Sequence, residues 1–345
     1  PTLLTGAEWL DTARSVGVDA VELVGLDPTE LDDDADAGAK IHQRAARMAV
    51  LNVPVLRDLA PDVVVSDVIT ACGGLAAELL GIQWIELNPG LAPGVGLRGK
   101  LRDAVMRALT ARSWREGIRQ RSAVRVEIGL SATDPGPLRR LIATLPALEV
   151  PRPDWPDEAV VVGPLHFEPT DAVLQIPQGD GPVIVVAPST AMTGARGMTE
   201  VALETLRPGE VLPEGARVVV SRLGGDDVDV PPWAVVGLGR QDDLLAHADL
   251  VICGGGHGMV SKTLMAGVPM VVVPGGGDQW EIANRLVRQG SARLIRPLEP
   301  EALAAAVREV LSSPRYAEAA RRAGATAADV ADPVRVCRDA LAPSP

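Results

Sequence analysis

Short apolar runs alternate with segments of helical spacing along almost the whole chain. The runs consist largely of Val, Ile and Leu, as in DVVVS (62–66), VIVVA (183–187) and PMVVV (269–273). Strands that lack polar alternation and are separated by helices are typical of a parallel sheet buried on both faces. The pattern therefore predicts the α/β class with doubly wound parallel sheets.

The spacing of apolar residues predicts where the strands and helices lie. Strands are predicted at residues 20–24, 62–66, 83–87, 159–163, 183–187, 217–221, 234–237, 249–253 and 269–273. Helices are predicted at residues 7–16, 38–59, 70–80, 100–120, 198–206, 241–247, 258–266, 280–289, 299–312 and 314–329. Such a domain normally begins with a strand and its loop, whereas this chain begins with a helix, so we expect an amino-terminal βα unit to be missing.

Proline and glycine interrupt the alternation between residues 163 and 182, which predicts a linker. At 345 residues the chain is long for one core, so two domains are expected. We expect an amino-side domain over 1–165, a linker over 166–181 and a carboxyl-side domain over 182–332. Residues 333–345 form a C-terminal segment, for which packing back on the first domain is one option.

Composition narrows the classes of function. A net charge of −12 excludes nucleic acid as the main partner, because duplex binding depends on basic contacts to phosphate. Three cysteines (Cys72, Cys253 and Cys337) lie too far apart for a disulfide framework or a zinc site, which fits a reducing, cytoplasmic setting. No apolar run approaches the ~18 residues of a membrane span. The acidic run 27–38 lacks the central glycine and the terminal glutamate of a calcium loop and is interpreted as a solvated loop.

The segment CGGGHGM (253–259) follows an apolar run and precedes a helical stretch. Strand, glycine turn and helix together form the geometry of an anion site, because unpaired N–H groups and the helix dipole point at the turn and glycine lets a phosphate approach. Tight packing of strand on helix without a ligand is the alternative.

A second glycine turn, residues 275–277, follows the next predicted strand and leads into Asp278 and Gln279. Both turns lie at the carboxyl ends of neighbouring strands, where open parallel sheets bind ligands. A carboxylate and an amide offer acceptors and donors for vicinal hydroxyl groups. A sugar beside a phosphate indicates a nucleotide sugar.

The two turns, together with AGVP (266–269) and the Asp-Gln pair, resemble the inverting nucleotide-sugar glycosyltransferases of the GT-B fold, and among them the bacterial natural-product (macrolide and aglycone) enzymes. The resemblance is specific over residues 242–295 and looser elsewhere. It implies two Rossmann-like domains facing a cleft, with a UDP or TDP sugar on the carboxyl-side domain and a small lipophilic acceptor on the other. It also implies inversion without a metal or a further cofactor.

The resemblance also implies roles for single residues. The first turn would hold the donor diphosphate, the Asp-Gln pair the sugar, APSTAM (187–192) the β-phosphate, and GLGRQDDLL (237–245) the nucleotide base. The predicted donor-binding residues are Ser189, Thr190, Arg240, Gln241, Gly254, Gly255, Gly256, His257, Gly258, Met259, Asp278 and Gln279.

The sequence departs from the family pattern within this site. Gly254 stands where the family has a histidine that contacts phosphate, and Met259 where it has threonine. Leu238 and Arg240 replace an aromatic residue and a proline, so base stacking is weaker or supplied elsewhere. We expect His257 to compensate as the side-chain donor to phosphate; the alternative is an exposed or capping histidine.

On the acceptor side, the family uses a histidine base in the first loop of the amino-side domain, which we expect this chain to lack. Asp67 matches the aspartate that orients this base, with capping of the following helix as the alternative. His42 and His166 are assigned surface roles.

Two further stretches are interpreted as carrying no site. GVGLRG (94–99) is read as a loop, since no strand leads into it. Residues 98–125 hold nine basic residues and are read as a solvated face, with an anionic acceptor or a lipid surface as the alternative.

The sequence thus predicts a monomeric or homodimeric glycosyltransferase. A non-catalytic nucleotide-sugar-binding relative and a GT-B hydrolase or epimerase are the alternatives.

Overall fold

The computed structural model describes residues 1–27, 37–90, 115–149, 155–168, 170–190, 194–222, 224 and 228–342. The contacts divide the chain into two compact units. The first contains the described residues of Pro1–Ile142, Pro151–Val160 and Ala331–Pro345, and the second those of Ala143–Val150 and Val161–Val330. The predicted loop 94–99, most of the basic stretch 98–125 and most of the acidic run 27–38 lie outside the described residues.

Strands and helices alternate as the α/β pattern predicts. The strands are β1 (Thr2–Thr5), β2 (Asp19–Glu22), β3 (Val63–Asp67), β4 (Gln83–Asn88), β5 (Arg140–Ile142), β6 (Ala159–Val161), β7 (Val183–Ala187), β8 (Arg217–Ser221), β9 (Ala234–Gly237), β10 (Leu250–Cys253), β11 (Met270–Val272) and β12 (Ala292–Leu294). The helices are α1 (Leu10–Ser15), α2 (Ala37–Leu59), α3 (Cys72–Leu80), α4 (115–127), α5 (Met198–Thr205), α6 (Gln241–Leu245), α7 (His257–Met265), α8 (Gln279–Gln289), α9 (Pro300–Ser312), α10 (Pro314–Ala325) and α11 (Pro333–Leu341). Short 3-10 helices cover Ala7–Trp9, Pro146–Leu148 and Thr326–Asp329.

The first unit holds two sheets. Strands β1 and β2 pair in parallel, and the second sheet has the order β3-β4-β5-β6. Leu4 of β1 and Val64 of β3 pack against one hydrophobic core, which is built mainly from α2 and α3. In the sheet orders β1 has β2 as its neighbour and β3 has β4, so each is an edge strand. An amino-terminal unit that contributes a further strand stays a prediction.

The second unit has a six-stranded sheet in the order β12-β11-β10-β7-β8-β9, and the pairs along it are parallel. All five residues of β7 are buried, as expected for a central strand covered on both faces. The strand order reverses between β7 and β10, so the switch point of the sheet lies between the carboxyl ends of these two strands. Doubly wound sheets bind their ligands at this point.

The structure corrects several sequence-based expectations. Strands β1, β5 and β12 and helix α11 were not predicted, and α4 extends to residue 127 instead of 120. The three strands are only three or four residues long, too short to show a clear period.

The domain boundary at 165 also differs, because Ala143–Val150 belongs to the second unit. Leu145 and Leu148 are fully buried there, in the core that contains Ile282 and Leu286 of α8. No periodic pattern in the sequence marks this short segment.

Candidate functional site

The first glycine turn connects β10 to α7 at the switch point of the second sheet. Gly256 is the N-cap of α7, and no side chain caps this helix end. Gly255 has φ +84°, a left-handed conformation that favours glycine. The first N–H groups of a helix have no partner within it, so the turn presents donors and the positive end of a helix dipole to an anion.

The glycines of this turn differ in what a side chain would meet. A Cβ atom on Gly254 would lie 2.9 Å from Ser189 Cβ, so something would have to shift. A Cβ atom on Gly256 or Gly258 would meet nothing within 4 Å. A larger side chain at position 254, such as the histidine of the family, would therefore require Ser189 to shift. The open space at Gly256 is where ligand atoms can approach the N–H groups.

Gln279 joins the second glycine turn to the loop after β7 through its side-chain amide. Its Nε2 donates to Ser189 Oγ over 2.9 Å, and its Oε1 accepts from the N–H of Gly275 over 3.0 Å. The residue is 4% exposed. The structure thus brings Ser189, Gly254 and Gln279 together, and it gives the Gln279 amide an internal role beside the predicted contact with sugar.

His257 and Asp278 face each other across the turns, with Nε2 and Oδ2 3.8 Å apart. Burial lowers the pKa of His257 below its usual value; Asp278 opposes this shift and Arg285 adds to it. The imidazole is therefore neutral near pH 7, while the Asp278 carboxylate is exposed to solvent. A neutral His257 can still donate one N–H to a phosphate.

Two further predicted residues, Met259 and Thr190, lie in or near the first glycine turn. The Met259 side chain packs against the hydrophobic core, and its carbonyl accepts from Thr263 Oγ1 over 2.7 Å. Met259 is partly buried, and its role as a donor-binding residue stays a prediction. Thr190, next to Ser189, is exposed.

The start of α6 holds Arg240 and Gln241, the predicted base-binding residues. Arg240 lies 3.5 Å from a carboxylate oxygen of Asp171 and 3.3 Å from one of Asp243. Gln241 Oε1 accepts from Lys262 Nζ over 3.3 Å. The backbone N–H groups of Gln241 and Asp242 both donate to the carboxylate of Glu168.

Sequence reasoning missed Glu168 and Lys262, which form a buried ion pair. One signal was available: Lys262 is one of three lysines among 33 basic residues, and it lies within an apolar helical stretch. A compact ammonium group inside an apolar stretch of an arginine-rich chain favours a specific partner.

In the first unit, Asp67 ends β3 and closes the following turn. Its Oδ1 accepts the N–H groups of Ile69 and Thr70 over 2.9 and 3.0 Å. The N-cap of α3 is Ala71, so Asp67 caps this turn and not the helix itself. Its role as an orienting residue stays a prediction.

Neither of the other two histidines considered lies at the turns. His42 is half-buried in α2, where burial and Arg121 lower its pKa. His166 borders a cavity of about 580 Å³ together with Asp249, Pro269 and Arg321. Asp249 and Pro269 precede β10 and β11, so this cavity lies at the opposite edge of the sheet from the glycine turns.

The described residues also bear on metal binding and on membrane crossing. No group of three or more His, Cys, Asp or Glu residues there is placed to hold a metal ion. None of the helices that the structure describes is long and apolar enough to cross a membrane.

The part of the chain that contains both glycine turns is similar to a known protein family. Residues 240–334 match the glycosyltransferase family 28 C-terminal domain. The chain is 29% identical over 297 residues to 4'-demethylrebeccamycin synthase of Lentzea aerocolonigenes, across 76% of this chain and 69% of that protein.

Solved structures resemble the chain over nearly its full length. The glycotransferase of kitacinnamycin superposes with a TM-score of 0.77 at 22% identity, covering 99% of this chain and 91% of that one. Spinosyn rhamnosyltransferase SpnG complexed with thymidine diphosphate gives a TM-score of 0.71 at 19% identity, covering 98% and 91%.

The fold is therefore that of the GT-B glycosyltransferases, and the resemblance drawn from the sequence is confirmed. The family 28 match includes both glycine turns, Asp278 and Gln279. Over residues 240–334 the chain is thus similar in sequence to a glycosyltransferase domain, and in fold it is similar to glycosyltransferases over nearly its full length.

Proposed function

We propose that the protein transfers a sugar from a nucleoside-diphosphate sugar, with UDP or TDP as the nucleotide, to a hydroxyl group of a small lipophilic acceptor. The observation that carries this proposal is the uncapped start of α7 at the switch point, with open space in front of Gly256. Support also comes from SpnG, which has the same fold and was solved with thymidine diphosphate.

The arrangement suits the chemistry of a diphosphate leaving group. As the bond between the anomeric carbon and the phosphate oxygen breaks, negative charge grows on the diphosphate. Helix N–H groups fixed in advance stabilise this charge without reorganisation, and preorganised electrostatic stabilisation is usually the largest single contribution to catalysis. We therefore assign the charge-stabilising role to the turn and propose that no metal ion is needed.

Inversion follows from attack by the acceptor hydroxyl on the face of the sugar opposite the diphosphate. A general base must take the hydroxyl proton as the new bond forms. Asp67 is proposed to orient that base through its carboxylate, and Asp278 and Gln279 to hold the sugar hydroxyls.

The test is a thermal unfolding series with UDP and TDP in the presence of a metal chelator, and with uridine and thymidine as controls. A nucleoside diphosphate at 100 times its dissociation constant should add ~2.7 kcal/mol to the free energy of unfolding. The absence of a shift with either diphosphate would contradict the proposal.

A second measurement separates the alternatives. Transfer of sugar to an aglycone supports a glycosyltransferase, and release of sugar to water alone supports a hydrolase. Binding without turnover supports a non-catalytic relative, which the departures at Gly254 and Met259 favour.

A further inference from the structure

The carboxylate of Glu168 closes the start of α6 from outside the helix. Its Oε2 accepts the N–H of Gln241 over 3.1 Å, and its Oε1 accepts the N–H of Asp242 over 3.3 Å. The N-cap residue itself, Arg240, makes no side-chain cap. A segment preceding the sheet thus supplies the cap that α6 does not supply for itself.

Lys262 holds this carboxylate in place from α7. Its Nζ donates to Glu168 Oε1 and also to Gln241 Oε1, the latter over 3.3 Å. The side chains of Lys262 and Glu168 are 6% and 10% exposed. A charge buried to this extent needs its partner, because removal of one leaves the other uncompensated in a low dielectric.

The network connects the two parts of the predicted donor site. Lys262 lies five residues after His257 on the helix that begins at the first glycine turn. Gln241 and Arg240 begin the helix to which base recognition is assigned. Hydrogen bonds of the Glu168–Lys262 pair therefore fix the position of α6 relative to the first glycine turn, in addition to apolar packing.

We propose that Glu168 and Lys262 are positioning residues that hold the start of α6 in register with the glycine turn, so that the nucleoside part of the donor is recognised together with its diphosphate. This inference rests on the proposed function. It predicts that loss of the ion pair weakens binding of the nucleoside part of the donor, because the start of α6 is displaced. Binding of the diphosphate at the first glycine turn should be retained.

The test compares Glu168→Gln with the parent chain by calorimetric titration of TDP and of inorganic pyrophosphate. TDP should bind about tenfold more weakly to the variant, since hydrogen bonds to a charged group are lost, while pyrophosphate affinity stays within about twofold. Equal losses for both ligands, or unchanged TDP affinity, would overturn the proposal.

A double variant separates positioning from stability. Glu168→Met with Lys262→Met replaces the buried ion pair by apolar side chains of similar length, an exchange that often preserves stability. Its thermal midpoint should return toward that of the parent while TDP remains about tenfold weaker. Recovery of TDP affinity together with stability would show that the pair only supports the fold.

Glu78→Gln provides the matched control in the first unit. Glu78 accepts from Nη1 and Nη2 of Arg125 over 2.9 and 2.7 Å, and the Arg125 side chain is 1% exposed. This variant loses a comparable buried ion pair away from α6, so the ratio of TDP to pyrophosphate affinity should not change. A change in the ratio as large as that of Glu168→Gln would count against the proposal.

Amide hydrogen exchange gives a readout that needs no ligand. In Glu168→Gln the amides of Gln241 and Asp242 should exchange at least about tenfold faster, while those of residues 260–264 in α7 are unchanged. Unchanged exchange at Gln241 and Asp242 overturns the positioning role. Failure of the parent to bind TDP or pyrophosphate would instead contradict the donor site, and exchange would still decide whether Glu168 holds α6.

Discussion

Gln279 Nε2 donates a hydrogen bond to Ser189 Oγ over 2.9 Å, which joins the start of α8 to the loop after β7. The carbonyl oxygen of the same amide accepts from the N–H of Gly275. One buried amide therefore sets the distance between the second glycine turn and the loop after β7. Asp278, its neighbour in sequence, has no such constraint, because its side chain is 66% exposed.

Gln279→Ala should lower the free energy of unfolding by ~1–3 kcal/mol, since it leaves the buried partners of the amide unsatisfied. The measurement is denaturation in urea. Asp278→Ala is the matched control, and as a surface substitution it should stay within ~0.5 kcal/mol of the parent. Equal stability of the two variants would show that the Gln279 amide does not hold the second glycine turn to the loop after β7.

For ligands, both substitutions should weaken binding of the nucleotide sugar by more than they weaken the bare nucleoside diphosphate. Sugar hydroxyls that lose a buried partner cost ~1–3 kcal/mol each. Titration of the two ligands against each variant measures the difference. If Asp278→Ala lost the same affinity for both ligands, the carboxylate would have no contact with the sugar.

Gly254→Ala should lower stability, whereas Gly256→Ala should lower diphosphate affinity. At 254 the new Cβ would lie 2.9 Å from Ser189 Cβ, and overpacking of this kind costs ~1–3 kcal/mol of stability. At 256 the new Cβ meets no atom within 4 Å, so stability should be nearly unchanged while diphosphate affinity falls. Unfolding curves with and without TDP measure both. Parental affinity in Gly256→Ala would mean that the diphosphate does not enter the space in front of this residue.

His257 should make stability depend on pH in a defined direction. Burial lowers the pKa of His257 in the folded chain below 6.5, its value in an unfolded chain. As pH falls through 6.5 the unfolded state therefore takes up a proton before the folded state does, and stability decreases. His257→Gln should show a smaller decrease, since the lowered pKa values of His42 and His166 contribute in the same direction and remain. Identical pH profiles for variant and parent would contradict the assignment.

The same histidine should affect ligand affinity. His257→Ala is expected to cost at least ~1.5 kcal/mol of diphosphate binding, the lower range for a hydrogen bond to a charged group. The loss should grow toward low pH, because an imidazolium attracts phosphate more strongly than neutral imidazole does. Titrations between about pH 5.5 and about pH 8 measure this trend. A variant that binds as tightly as the parent throughout would leave the backbone N–H groups as the whole diphosphate site.

The sequence predicted those features that depend on long apolar runs and on fixed local motifs. Strand β7 reads as VIVVA and is buried at every position, and the glycine turn after β10 lies where the motif places it. Features that depend on partners distant in sequence were not predictable. Glu168 and Lys262 are 94 residues apart, and neither carries a local signal of the other.

The sequence also could not predict why residue 254 is a glycine. The sequence shows only that a side chain is absent there, and the motif suggests a ligand as the cause. In the structure the nearest atom is Ser189 Cβ, which belongs to another loop. Close approach of a neighbouring side chain and close approach of a phosphate give the same preference for glycine, so the sequence alone does not separate these two causes.

The burial of Leu145 and Leu148 in the core of the second unit affects how this chain can be made and divided. During synthesis these side chains emerge before the strands that will cover them, and they stay exposed to water until β7, β10 and α8 have followed. A fragment that begins at residue 161 would lack them and retain an apolar hollow beside Ile282 and Leu286. The first unit in turn needs residues that come after Val330. Each unit thus includes a segment that lies outside its main stretch of sequence. We therefore expect heat to unfold the two units in a single coupled transition. We also expect separately expressed halves to expose apolar surface and aggregate.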